Sequence, residues 1–135
     1  MNNTNEVYHG CPVQHARQFL AGKWQMGILW NLRNKVLRFS EIKNLLSGIS
    51  DKALMQELDF FVQKNIIERN VYESPFSKTE YTLTTAGQSL IPVISSIVEW
   101  GYSHLQDEKF TKEMGLTPLS VIQDIESTID GTDSF

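Results

Sequence analysis

Cys11 is the one side chain of this 135-residue sequence with switchable covalent chemistry. It stands directly before Pro12, which suits the first position of a helix because its missing N–H would be unpaired there anyway. The positive end of a helix dipole stabilises a thiolate, the form that attacks oxidants and electrophiles. With a single cysteine no intrachain disulfide can form. A disulfide to a second copy, or capping by a small thiol, stays open, and so does plain packing at a helix start. His9, His15 and His104 have no metal-ligand spacing, and Cys11 with His9 and His15 would make a zinc site of unusual geometry. There is no phosphate-cradling glycine loop, no nucleophile elbow and no paired carboxylate–histidine arrangement. The sequence reads as a non-enzyme without metal or cofactor.

The other chemistry on offer is hydrogen-bonded reading of a polar surface. Leu54, Leu58, Phe61 and Val62 form an i, i+4, i+7, i+8 stripe, which predicts an amphipathic helix. Successive residues turn by about 100°, so Lys52, Gln56, Asp59 and Gln63 fall on the opposite face. Glutamine can pair in a bidentate way with adenine N6 and N7, and lysine can donate to guanine O6 and N7. The N-terminal part of a recognition helix meets the base edges, which selects Ser50, Lys52, Met55 and Gln56 over Gln63. Ser50 either contacts a phosphate or caps its own helix. Arg38, Lys78 and the hydroxyls of Ser77 and Thr79 are candidates for phosphate or minor-groove contact from the flanks, and Ser40 joins them. Each of these is equally at home as a solvated surface residue, and Asp59 reads as a surface acid that would repel a nearby phosphate.

The elements that must position these side chains follow from period and punctuation. A first helix starts at Pro12, with Val13, Ala16 and Leu20 at helical spacing and Gly22 as its stop. A second carries Trp24, Ile28 and Leu32 on one stripe. Ser40 is placed to cap a short helix with Glu41 in its first turn and Ile42, Leu45 and Leu46 inward. Ser47 and Gly48 close it, and Ser50 caps the recognition helix, which runs to about Asn65. Two helices joined by a four-residue turn containing glycine are a helix-turn-helix by spacing. Residues 66–72 and the alternation of Thr79, Tyr81 and Leu83 then predict a β-hairpin across the turn 73–78. A long helix follows from Thr85 to Gln106, with Leu90, Val93, Ile94, Ile97, Gly101 and Leu105 as its buried side and Pro92 bending or breaking it. Thr117 and Pro118 make a helix start for a short segment at 118–129, with Leu119, Ile122, Ile125 and Ile129 as a weak stripe. That segment is expected to pack on a dimer or its partner, or to end as a loose acidic tail.

The fold class predicted is mainly α with a small β-hairpin wing, a winged helix-turn-helix. Its divisions are a flexible arm at 1–10, a DNA-binding and dimerisation domain at 11–106 and an acidic extension at 107–135. Length and an apolar fraction of 41% with 21% charged residues fit one globular domain. No apolar stretch approaches the about 18 residues that span a bilayer, the N-terminus lacks signal-peptide character, and a cytoplasmic location without membrane contact is expected. The formal net charge is -4. Residues 33–80 hold eight bases against seven acids, a balance of +1, whereas residues 107–135 hold seven acids against two lysines, a balance of -5. The acidity is therefore concentrated in the tail, which leaves room for a local basic face.

The ordered pieces are more specific together than apart. Cys11-Pro12-Val13, Gly22-Lys23-Trp24, Arg38-Phe39-Ser40-Glu41, Gly48-Ile49-Ser50, Leu54 with Gln56 and Leu58, Glu80-Tyr81 with Leu83-Thr84, Gly87, Leu90 and Glu99-Trp100-Gly101 follow one another between Gly10 and Gln106. In this the chain resembles the HxlR-type winged-helix regulators, relatives of the MarR group. The resemblance implies a bacterial repressor or activator that binds double-stranded DNA as a homodimer through its N-terminal and long C-terminal helices. It also implies that a cysteine at the place of Cys11 can sense oxidants or electrophiles. The chain departs from the family in Glu57, where a basic residue often follows the recognition-helix glutamine. It departs again in the aromatic run Asp59-Phe60-Phe61 and in a wing turn whose only cation is Lys78. Two further readings stay open: a winged-helix module that binds protein, which the weak charge of the middle segment favours, and a regulator controlled by a small-molecule effector without redox chemistry.

Overall fold

The computed structural model describes residues 10–105 and 114–122. The arm before Gly10, and Ile125 and Ile129 of the expected terminal stripe, lie outside the described residues. Five helices and three strands follow in the order α1 (Pro12–Leu20), α2 (Gln25–Asn31), β1 (Leu37–Arg38), α3 (Phe39–Leu45), α4 (Asp51–Gln63), β2 (Ile67–Tyr72), β3 (Lys78–Leu83) and α5 (Thr85–His104). The expected order of four helices, a hairpin and a long helix holds. One feature is added: β1 pairs antiparallel with β3, Leu37 opposite Tyr81 and Arg38 opposite Glu80, so the hairpin becomes a three-stranded sheet. A two-residue strand has too little alternation to be seen in the sequence.

The core is where these elements converge. Ile28, Leu29 and Trp30 from α2 with Leu32 at its C-cap, Ile42 and Leu46 around α3, and Leu54, Leu58 and Phe61 from α4 are buried together with Tyr81, Leu83 and Ile94. Val62, expected inward, is half-buried at the edge of this cluster. Gln25 is the buried polar side chain of the described residues, and both ends are satisfied: its oxygen accepts from Gly22 N–H at 2.8 Å and its nitrogen donates to the Gln18 carbonyl at 2.8 Å. It thereby joins α1 to α2, which a buried amide must do to avoid an unpaired group.

Several expectations are corrected. Ser40 does not cap α3. Arg38 occupies the N-cap and its N–H is taken by the Glu41 carboxylate at 2.8 Å, which leaves Ser40 exposed inside the first turn. Leu45 is exposed, and Ile49 fills the core in its stead beyond the turn at Gly48. On α1 the buried residue is Phe19, while Val13 points to solvent. On α5 Val93, Ile97 and Leu105 are exposed; Gly87, Ile94 and Val98 are the buried positions. Nor does Pro92 break α5, because it sits on the exposed side of a helix packed against α2 and β3.

Residues 114–122 pack on their own chain. Trp30 donates its indole N–H to the Thr117 carbonyl at 2.9 Å, and the Asn31 amide donates to the Gly115 carbonyl at 2.8 Å. Ser120 donates through N–H and hydroxyl to Glu99 of α5, at 3.1 and 2.9 Å. Met114 and Pro118 are buried. This strap covers Trp30, which is buried in the core, while Trp24 is half-buried against the same cluster.

Candidate nucleic-acid interface

Ser50 begins the interface. Its backbone is extended, its hydroxyl accepts from Ala53 N–H at 3.0 Å, and α4 starts at the next residue. The cap follows from the residue type, since a serine oxygen satisfies one of the donors a helix start leaves unpaired. Gly48, with φ +88°, turns the chain from α3 into this cap. The Lys43 ammonium of α3 pairs with Asp51 in the first turn of α4, which ties the two helices of the motif together. Leu54, Leu58 and Phe61 fix the inner face of α4, and Lys52, Met55 and Gln56 are consequently left exposed on its outer face.

The wing is held to this helix by one side chain the sequence reading did not single out. Arg69 of β2 pairs with Asp59 of α4, donates to the Tyr81 hydroxyl at 3.3 Å and lies 5.4 Å from the Tyr81 ring centre. It also reaches the Met55 sulfur at 3.8 Å. Partial burial disfavours the guanidinium charge, but the hydrogen bonds to Asp59 and Tyr81 and the negative charge of Asp59 outweigh it and hold the Arg69 pKa above its ordinary value. Asp59 is thus no bare acid beside a phosphate. Nothing in the spacing of Asp59 and Arg69 advertises this, because they meet only once the hairpin folds back beside α4.

The flank candidates form a second group. Arg38 and Lys78 line one cleft with Tyr72, Ser74, Pro75 and Phe76. Lys78 lies over the Tyr72 ring at 5.2 Å and 3.8 Å from the Glu80 carboxylate. Ser77 is exposed in the turn and Thr79 half-buried in β3. Ser40 stands apart from this cleft's lining, in α3. Cys11 is exposed at the N-cap of α1, as its place before Pro12 implies. Among the described residues no group of His, Cys, Asp and Glu could hold a metal ion, and no helix is long and apolar enough to cross a membrane.

Helix, glycine turn, capped helix and sheet wing are the parts of a winged helix-turn-helix. The HxlR-like helix-turn-helix family matches residues 19–109. The chain belongs to this family. It is similar to the HTH-type transcriptional regulator YdeP of Bacillus subtilis, with 33% identity over 98 residues covering 73% of this chain and 77% of that protein. Among solved structures it is similar to the redox regulator HypR in its oxidised form, with 29% identity and a TM-score of 0.68 over 72% of this chain and 100% of that one. It is also similar to the reduced form of the transcriptional regulator YodB of Bacillus subtilis, with 31% identity and a TM-score of 0.63 over 72% and 96%. This HxlR-like chain is accordingly a transcriptional regulator of the helix-turn-helix type with DNA as its partner class, and not an enzyme. The family match stops at residue 109, so the strap at 114–122 lies beyond it.

Proposed function

We propose that the chain is a sequence-specific, dimeric DNA-binding regulator that reads the major groove with the outer face of α4. The observation that carries this reading is the exposure of Lys52, Met55 and Gln56 on the first turns of a helix whose opposite face is locked in the core. Gln56 pairs with an adenine edge and Lys52 donates to a guanine or a phosphate. Ser50 keeps its hydroxyl for the cap. Arg38 and Lys78, together at the wing, lie on the flanking backbone phosphates, helped by Ser77 and Thr79. Asp51 and Asp59 are occupied by Lys43 and Arg69, which lowers the repulsion two acids would otherwise exert on the groove. The dimer forms through α1 and the exposed apolar face of α5, and the domain at 11–106 works in the cytoplasm, where the DNA is.

A second reading concerns regulation. Cys11 is exposed at a helix start, and redox regulators stand among the solved structures this chain resembles. On this reading oxidation of Cys11, by a disulfide to the second copy or to a small thiol, releases DNA.

One titration tests both. Duplex DNA from upstream of the chain's own gene is bound against a scrambled competitor, in reducing buffer and after diamide. Specific binding by the native chain, weakened roughly tenfold and with relaxed base preference in Gln56→Ala, is expected if α4 reads bases. Specific binding that Gln56→Ala and Lys52→Ala leave untouched would move the contact off α4. Loss of binding with diamide that persists in Cys11→Ser would end the redox reading.

A further inference from the structure

Phe76 is 79% exposed at the end of the hairpin, more than any other large apolar side chain among the described residues. A phenylalanine in a wing turn has no core to serve. Its surroundings are selective: the cleft it borders also holds Arg38, Lys78 and Tyr72, two cations and a second aromatic ring. The hairpin that carries it is tied along the middle of its strands, by β1 against Glu80 and Tyr81 of β3 and by Arg69 of β2 to Asp59 of the recognition helix. The tip therefore has a set position relative to α4.

The dimensions favour one occupant. Each strand of the hairpin has six residues, which at about 3.3 Å per residue carry the tip about 20 Å from its root. In duplex DNA the neighbouring minor groove lies about half of a 34 Å helical turn from the major groove. A hairpin beside a helix in the major groove thus ends over the adjacent minor groove. Apolar side chains entering that groove wedge between base pairs and partly unstack them, which is easiest at flexible pyrimidine–purine steps. The cations at the rim suit the phosphates on its two sides.

We propose that Phe76 is a specificity-determining residue that enters the minor groove flanking the α4 contact and wedges a flexible base step, with Arg38 and Lys78 on the bordering phosphates. It reads deformability and not base edges. The inference rests on the DNA-binding reading of α4 and adds a second, independent source of sequence preference at the ends of the operator.

The test is selection of duplexes from a random pool by the native chain and by Phe76→Ala, followed by titration of the selected duplex with 2-aminopurine at each flanking position. Phe76 is exposed, so the variant keeps its fold. The native chain is expected to enrich pyrimidine–purine steps at the flanks and to raise 2-aminopurine fluorescence there. Phe76→Ala should keep the central preference set by α4, lose the flank preference and the fluorescence rise, and bind roughly tenfold more weakly. Its salt dependence should match the native chain, whereas Lys78→Ala should lower the log–log slope by about 0.9 per half-site. Unchanged flank preference and affinity in Phe76→Ala would overturn the inference and leave the α4 reading intact. A native chain that selects no sequence at all would overturn both.

Discussion

Gly27 lies in the middle of α2, where alanine is the better helix former by up to about 1 kcal/mol. A Cβ there would stand 2.3 Å from the Met114 carbonyl oxygen and 2.9 Å from Leu46 Cδ2. Close approach of the strap backbone therefore outweighs helix preference. Gly27→Ala is expected to lower the unfolding free energy of the full chain by about 1–3 kcal/mol through this overpacking. In a chain ending at residue 113 the same substitution should be neutral or stabilising. Denaturant titration of the four proteins checks it: a cost that survives the truncation would clear the strap of causing it. The strap also marks the reach of sequence reading at this scale. Ser50 as cap and Leu54 and Leu58 as core were legible, because their partners lie three or four residues away or on the same stripe. Trp30 finds its partner at Thr117, 87 residues along the chain, and no local pattern points there. Asp59 and Arg69 are closer in sequence, yet they meet only through tertiary folding.

Among the described elements, periodicity located α1 to α5 and both long strands, and misplaced inward positions on three helices, at Val13 of α1, Leu45 of α3, and Val93 and Ile97 of α5. On α5 the apolar residues run almost all the way round, so a stripe can be drawn through Val93 and Ile97 as readily as through Ile94 and Val98. Only contact with α2 and β3 decides which is inward. Pro92 lacks the N–H that would close the helix onto Gln88, and the sequence alone therefore predicts a bend or break there. The helix runs through it because the lost bond lies on the solvent side. Ser96 donates its hydroxyl to the Pro92 carbonyl at 3.1 Å. A proline held in a helix interior against its preference is a local cost that packing on the other face offsets. Pro92→Ala should accordingly raise the unfolding free energy by about 1–3 kcal/mol, measured by denaturant titration. An unchanged or lowered stability would mean that the proline shapes a contact α5 needs.

For the whole molecule the tension is between a net charge of -4 and a polyanionic partner. Lys43 and Arg69 are engaged with Asp51 and Asp59, and the cations proposed for phosphate contact on each copy are Arg38, Lys52 and Lys78, the last of them beside Glu80. Counterion release gives a log–log salt slope of about 0.9 per phosphate neutralised, hence about 2.7 for one chain and about 5.4 for two. So few contacts would make a single copy a weak binder, and the proposed pairing would double them without adding charge to either chain. The pairing proposed above would use α5, where Trp100 is 68% exposed and Ile97 43% exposed beside Val93. Ile97→Gln, which changes no charge, should therefore turn the chain monomeric in sedimentation, halve the salt slope and weaken specific binding by orders of magnitude. A variant that remains a dimer would place the pairing surface elsewhere. A monomer that binds with the native slope would mean that more cations reach the DNA from one chain than these three, and the acidic balance of the sequence would then be no obstacle to binding as a single copy.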